Sequence, residues 1–308
     1  MPELPEVQTT VNGIKKHVVG LTILDAWTDY GSKFHAGKDN IANPIFFKSF
    51  RKAVVGTKII DSTRRGKNVL IHLSNNKTIL IHMKMTGHVM YGEYKKSTKN
   101  TKKTREEWVA TEAGPLRDDP YNRFVHFLLH FKNGKSMALS DTRKFAKVTL
   151  IETDQLEKSS HLASHGPEPL EVNFKLQDFK KALMIKPNGP IKIVMMNHEV
   201  ISGIGNIYAS EILFLAKVAP QRLGSSLNTQ EIQAILEATQ LILNQAILHN
   251  GTSISDFRRV DDKTGEFQNF LKDMYDTMKI EGGIGIAAPQ VNVSKQVALI
   301  ELPAHNEL

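Results

Sequence analysis

The sequence predicts an α+β fold: an N-terminal helix plus an antiparallel β-sandwich, followed by a helical region. Three observations predict it. Near the start, apolar residues recur every three or four positions, at Val7, Val11, Ile14 and Val18. Short runs rich in β-branched and aromatic residues then follow one another, separated by turn pairs such as Asn75-Asn76 and Asn133-Gly134. Beyond Thr153 the apolar period becomes helical again. A period of three to four marks one face of a helix, and short runs closed by hairpin turns mark antiparallel strands.

In order, the first helix is expected over residues 7–18, ended by Gly20, which sets the opening residues at a helix N-terminus. Strands are expected over 22–27, 57–61, 69–73, 78–83, 124–131, 135–139 and 145–151. Between Gly92 and Asn122 a polar stretch carries Lys95, Lys96, Lys99, Lys102, Lys103 and Arg105, and reads as a solvated loop. Gly166-Pro167-Glu168-Pro169 marks a boundary, because two prolines break regular structure. Beyond it Leu176, Phe179 and Leu183 share one helix face, and Ile207, Ile212, Leu213 and Leu215 another. A longer helix begins at an Asn228 cap with Glu231 three residues on, and runs to Gly251. The expected units are 1–153, 154–271 and 272–308, with no internal repeat.

The 308 residues suffice for two domains with their own cores. A net charge of +8 and a pI near 9.4 point to a polyanionic partner, nucleic acid first. No apolar run approaches a membrane span, and the start is acidic and proline-rich rather than basic then apolar. A cytoplasmic monomer with no membrane partner is expected. The chain has no cysteine, which excludes disulfides and cysteine-ligated zinc. Its 12 histidines form no His-x-x-x-His pair with a nearby carboxylate, so no metal and no cofactor are expected.

The residues with chemical promise begin at the first six, Met1-Pro2-Glu3-Leu4-Pro5-Glu6. Trimming of Met1 would leave Pro2 as a secondary amine with a pKa near ~8, against roughly 10.4 for a lysine. Such an amine is partly unprotonated near neutrality and condenses with a sugar aldehyde to an iminium, an electron sink for eliminations. Glu3 and Glu6 put carboxyl groups near the same centre for proton transfer. In Gly203-Ile204-Gly205-Asn206, glycines before a helix allow close approach of a phosphate to free N–H groups. Lys67 follows Arg64-Arg65-Gly66 at the entrance of an apolar strand, and the two arginines add positive potential.

The opening Pro2-Glu3-Leu4-Pro5-Glu6-Val7 resembles the start of the formamidopyrimidine-DNA glycosylases, bifunctional base-excision enzymes that remove oxidised purines. Arg64-Arg65-Gly66-Lys67, His82-Met83-Lys84-Met85-Thr86-Gly87, Asp141-Thr142-Arg143-Lys144-Phe145, Gly166-Pro167-Glu168-Pro169-Leu170 and the segment Gly203 to Glu211 follow in that family's order, and the resemblance covers roughly residues 1–271. It implies a helix-two-turn-helix motif with Asn206 on the phosphates flanking the lesion, and damaged double-stranded DNA in a basic cleft. It implies Lys67 on the lesion phosphate, and a proton-handling role for Glu3 beside a Glu6 that orients the terminus.

An enzyme acting at C1′ inside a duplex must turn the nucleotide out and fill the gap. Met85, Arg143 and Phe145 resemble the residues that do this, with Phe145 as wedge, Arg143 reading the orphaned cytosine and Lys144 facing phosphate. Lys192 and the loop 251–257 match regions that contact the flipped base. The implied activity is a glycosylase with AP lyase activity for 8-oxoguanine and formamidopyrimidines, through a Pro2 iminium and β,δ-elimination.

Two alternatives stay open: an endonuclease-VIII-like enzyme for oxidised pyrimidines, and a catalytically weak lesion-binding protein. Leu4 and the Gly166–Leu170 segment favour the purine branch. The second alternative arises because the family's four-cysteine zinc finger is missing. In its place, Gly283-Ile284-Gly285-Ile286-Ala287-Ala288-Pro289-Gln290 resembles the N-terminal region of peptide deformylases. Their metal-binding cysteine and His-Glu-x-x-x-His motifs are absent here, so no deformylase activity is expected. A lone strand over 297–302 would leave its edges unpaired.

Overall fold

The computed structural model describes residues 2–97, 107–251, 258–260, 266–282, 285–287 and 298–300. The chain runs α1 (Leu4–His17), β1 (Ile23–Thr28), α2 (Pro44–Val54), β2 (Ile59–Arg65), β3 (Asn68–Leu73), β4 (Lys77–His82) and β5 (His88–Gly92). It continues through β6 (Tyr94–Ser97), β7 (Glu107–Ala110), α3 (Pro115–Asp118), β8 (Val125–Phe131), β9 (Ser136–Ser140) and β10 (Lys147–Glu152). Two four-stranded antiparallel sheets form, ordered β1-β8-β9-β5 and β10-β4-β3-β2. Alternate side chains such as Val69, Ile71, Ile79, Ile81, Phe127 and Leu129 meet in one buried core between them.

The helical part comprises α4 (Leu176–Leu183), α5 (Ile191–Met196), α6 (Asn206–Leu215) and α7 (Thr229–Leu248) around a second core. The capping box of α7 forms as the sequence indicates, with Asn228 Oδ1 accepting from Glu231 N at 2.9 Å and Glu231 Oε2 from Asn228 N at 2.9 Å. Among the described residues no helix is long and apolar enough to cross a membrane.

Helix α1 belongs to both cores. Leu4 is buried in the helical core, whereas Val7, Val11 and Ile14 are buried in the sandwich core. The helix starts three residues earlier than the apolar period indicates, because Glu3 and Glu6 cap it. Leu4 N donates to Gly203 O at 3.0 Å, so the start of the chain is latched onto the loop before α6. Gly203 takes φ +92°, and a Cβ there would fall 2.7 Å from Leu4 Cδ1. After α7 the chain returns to the sandwich: Val260 packs on α1 at Gly13, and Val260 O accepts from Tyr91 N at 2.9 Å.

Three expectations are corrected. The polar stretch after Gly92 is not simply a loop, since β6 pairs with β7 and Lys96 lies over the Trp108 ring; Lys99, Lys102, Lys103 and Arg105 fall outside the described residues. The expected junction at 271/272 lies inside a continuous helix, α8 (Glu266–Ile280). The strand expected over 297–302 is not alone: β11 (Gly285–Ala287) pairs antiparallel with β12 (Ala298–Ile300), which satisfies one edge of each. Helix α2 carries no expectation in the sequence reading, although Asn43 caps it through Ile45 N and Phe50 and Val54 bury its inner face.

Candidate active site at the junction of the two halves

The site is built outward from the start of α1. Glu3 N donates to Glu6 Oε2 at 2.9 Å, so Glu6 satisfies an N–H that the helix itself leaves open. Glu6 Oε1 accepts from the buried Tyr208 hydroxyl at 2.7 Å. Gly251, just beyond α7, backs the same carboxylate: a Cβ there would fall 3.1 Å from Glu6 Oε1, and its φ of +89° favours glycine. Glu6 is thus held by both halves of the molecule, four residues from the buried Pro2.

The Glu3 side chain points the other way. Its carboxylate accepts from Gly205 N at 2.7 Å, Ile207 N at 3.0 Å and Tyr208 N at 3.3 Å, at the N-terminus of α6. Lys67 comes from the tip of the β2–β3 hairpin, where Gly66 supplies the left-handed turn residue at φ +56°. A Cβ on Gly205 would fall 2.5 Å from Glu3 Oε1 and 2.8 Å from Lys67 Nζ. Only glycine leaves room for both groups.

Burial pushes the Glu3 carboxyl above the ordinary glutamate range, against Lys67 and the three N–H donors, which pull it down. Burial pushes the Lys67 ammonium below its ordinary range, against the nearby Glu3 and Glu6. The arrangement offers a carboxyl that holds its proton to higher pH than a free glutamate, beside a partly desolvated cation.

This changes the reading of the Gly203–Asn206 turn. The N–H groups of Gly205, Ile207 and Tyr208 are occupied by Glu3 and do not await a phosphate. Asn206 lies on the exposed face of that helix start.

Arg64 and Arg65 are likewise not free surface charges. Arg64 Nη1 lies 2.6 Å from Glu168 Oε2. Arg65 Nη1 donates to Glu168 Oε1 at 3.1 Å, Gly166 O at 2.9 Å and Ser202 Oγ at 2.9 Å, and Gly66 N also donates to Glu168 Oε1. The Gly166–Leu170 segment therefore clamps the Lys67 hairpin to the helical part. The motif containing Glu168 is visible in the sequence, but its partners lie about a hundred residues away.

Met85, Arg143 and Phe145 sit on two adjoining loops, after β4 and after β9. Met85 is 43% and Phe145 52% exposed, and the Arg143 guanidinium lies 4.6 Å from the Phe145 ring centroid. Asp141, to which the sequence reading gives no role, shapes these loops. Its fully buried carboxylate accepts from Phe145 N at 2.7 Å, Ala146 N at 2.8 Å and Arg143 N at 3.2 Å, and from the Thr86 hydroxyl of the other loop. An aspartate directly after a buried strand and ahead of a polar turn is the signal that could have found it.

Lys144 is turned toward Asp29. At φ +58° it folds back, donating to Asp29 Oδ2 at 2.8 Å and Asp29 O at 3.1 Å. Lys192 is not brought to the Glu3–Lys67 cluster either; it lines a separate hollow with Ser210, Phe214 and Lys217. Residues 252–257 of the expected base-contacting loop lie outside the described residues. Among the described residues no group of three or more His, Cys, Asp or Glu could hold a metal ion.

The chain is similar to known proteins over most of its length. The family model for the formamidopyrimidine-DNA glycosylase N-terminal domain matches residues 1–148, and that for the formamidopyrimidine-DNA glycosylase H2TH domain matches 165–258. A polypeptide deformylase model matches 242–308. The chain is 32% identical over 273 residues to a formamidopyrimidine-DNA glycosylase of Rickettsia bellii, covering 88% of this chain and 87% of that protein. One from Desulforamulus reducens is 29% identical, with the same coverage. Among solved structures, Lactococcus lactis Fpg in complex with abasic-site DNA superposes with a TM-score of 0.68 at 25% identity, over 87% of this chain and 86% of that one. MutM in complex with DNA containing carbocyclic 8-oxo-G superposes with a TM-score of 0.67, also at 25% identity over 87% and 86%.

Proposed function

The chain belongs to the formamidopyrimidine-DNA glycosylase family, DNA glycosylases of base excision repair that also have AP lyase activity, and from that premise we propose how its own residues carry the reaction. The observation that carries the reading is the Glu3 carboxylate, buried on the α6 N-terminus beside Lys67 and one residue from Pro2.

With Met1 removed, the Pro2 nitrogen attacks C1′ of the damaged nucleotide, and the C1′–N bond breaks as the base leaves with its electron pair and takes up a proton. Glu3 gives a proton to the sugar-ring oxygen, the C1′–O4′ bond opens, and C1′ becomes an iminium on Pro2. The iminium acidifies C2′. Loss of that proton expels the 3′ phosphate, and a second elimination through C4′ expels the 5′ phosphate. Glu6, held by Tyr208, orients the backbone that presents Pro2. Lys67 steadies the phosphate beside the lesion, and its charge tempers the upward shift of Glu3. Asn206 contacts the flanking phosphates, while Met85, Arg143 and Phe145 fill the space left by the extruded nucleotide.

The substrate class we assign is an oxidised purine in duplex DNA, the class named for the MutM complex with 8-oxo-G analogue DNA. The enzyme needs no metal cofactor in this scheme and works on chromosomal DNA in the cytoplasm. The test is cleavage of matched duplexes carrying 8-oxoguanine or an oxidised pyrimidine opposite its normal partner, with and without a chelator. Faster cutting of the 8-oxoguanine strand, unchanged by chelator, is expected; preference for the pyrimidine lesion would move the enzyme to the other branch.

A further inference from the structure

Lys67 stands at the tip of the β2–β3 hairpin, and the residues on either side of it rest on one imidazole. That ring belongs to His165, in the connection between the sandwich and α4. Its Nε2 lies 3.3 Å from Asn68 Nδ2, and a Cβ on Gly66 would fall 3.0 Å from its Cδ2. On the other side the ring centroid lies 5.1 Å from that of His198, in the helical half. The main chain is tied in the same way. His165 O accepts from Arg65 Nη2 at 2.9 Å, and the next N–H, that of Gly166, donates to His198 O at 2.8 Å. His165 is thus wedged between the hairpin tip and the helical half.

The hydrogen bonds fix how the ring carries its proton. Asn68 Nδ2 also donates to Arg65 O at 3.1 Å, which orients the amide with its NH₂ group toward the ring. An amide N–H can only donate, so Nε2 must accept, and the ring is neutral with its proton on Nδ1. Burial, then His198 and Arg65, push the imidazole down to about 4, against Glu168, which pulls it up. The ring is therefore uncharged at neutral pH.

Nδ1, however, is buried without a hydrogen-bond partner among the described residues. A hydrocarbon side chain would occupy the same space without leaving a buried N–H unpaired. What the polar ring supplies in return is the acceptor for Asn68. Lys67 lies between the two residues that this ring supports, and its Nζ must stay beside Glu3, where Gly205 leaves room for both.

We propose that His165 is a positioning residue for the reaction: braced on His198, its ring accepts from Asn68, supports Gly66 and so sets the Lys67 ammonium against the Glu3 carboxyl. It acts through Lys67 and transfers no proton itself. The assignment rests on the roles proposed above for Glu3 and Lys67, and adds the residue that ties them to the packing of the two halves.

The test is a double-mutant cycle on single-turnover strand cleavage by the full chain, with a duplex carrying 8-oxoguanine opposite cytosine. Lys67→Ala, His165→Leu and the double variant are compared across pH. His165→Leu should slow cleavage by roughly 10- to 100-fold, as expected when a catalytic group is displaced. In the Lys67→Ala background the same change should cost no more than about twofold, because the group it positions is gone. His165→Leu should also move the alkaline limb of the profile upward, since a displaced Lys67 no longer pulls the Glu3 carboxyl down. His165→Gln, whose Oε1 can accept from Asn68, should restore most of the lost rate.

A loss that is the same with and without Lys67 is a purely structural effect and overturns the proposal. So does a His165→Gln variant no faster than His165→Leu. Where circular dichroism shows that His165→Leu does not fold, Asn68→Ala removes the donor, keeps the ring and enters the same cycle with the same expected outcomes. If Lys67→Ala itself leaves the rate unchanged, the Lys67 role has failed and the proposal falls with it. If Lys67→Ala slows cleavage and His165→Leu adds to it independently, the positioning role alone falls.

Discussion

The floor of the site and its rim use the same device for different ends. Glu3 and Asp141 are both buried carboxylates, and each accepts three backbone N–H bonds. The donors to Glu3 are Gly205, Ile207 and Tyr208, about two hundred residues away on the other half of the molecule. The donors to Asp141 are Arg143, Phe145 and Ala146, its own next neighbours. A carboxylate wired across two halves is fixed only when both halves are in place, and it sits beside a half-buried amine whose charge it tunes. A carboxylate wired to its own turn makes that turn stiff and leaves the side chains on it exposed. The first arrangement suits proton transfer at a set position, and the second suits probing a duplex.

The largest effects are expected at the floor. Glu3→Gln keeps the shape but removes the transferable proton, and single-turnover strand cleavage should fall by about 10²- to 10⁴-fold with lesion binding retained. An unchanged rate would mean the proton comes from elsewhere. The pH profile sharpens the same point. Lys67 pulls the Glu3 carboxyl down, so in Lys67→Ala the protonated form should persist to higher pH. The alkaline limb of the single-turnover profile should therefore move upward, and a downward move would contradict the coupling.

Gly205→Ala should come next. The added Cβ collides with Glu3 and with Lys67, and displacing a catalytic group by about 1 Å costs on the order of 100-fold. Circular dichroism and Tm of the variant separate this from a failure to fold.

At the rim the effects should be smaller and of another kind. Phe145→Ala should lower the preference for damaged over intact duplex by about tenfold, or about 1.4 kcal/mol, while cleavage of a preformed abasic site changes little. Equal losses on both substrates would remove the wedge role. Smallest of all should be Lys144→Ala. Its partner is Asp29 rather than DNA, so the salt dependence of binding should be unaltered and stability should change by no more than about 1 kcal/mol. A shallower salt slope would return Lys144 to the phosphates.

The same contrast explains what the sequence made legible. The apolar period found α1, and the strand runs fell within a few residues of seven of the observed strands, because periodicity and turn chemistry are local. Pro2, Glu3, Glu6 and Lys67 were singled out by residue type and motif. Which groups would face Glu3 was not legible, since nothing near position 3 encodes the start of a helix at Asn206. Arg64 and Arg65 looked like free positive charge for the same reason: their carboxylate is Glu168. That Lys144 turns back to Asp29 was not legible, because motif position gives the residue but not the sign of its φ. Helix α2 was missed although Asn43-Pro44 is a local start signal, and its half-exposed aromatic face of Phe46 and Phe47 obscured the period.

The proposed nucleophile is the chain's second residue, held at the junction of the two halves. It is tested most directly by borohydride reduction of the enzyme on a duplex containing 8-oxoguanine opposite cytosine, followed by mapping of the cross-linked peptide. One covalent adduct on the N-terminal peptide, at Pro2, is expected, lost in Pro2→Gly and when Met1 is retained. An adduct mapping chiefly to Lys67 or another internal lysine would contradict it.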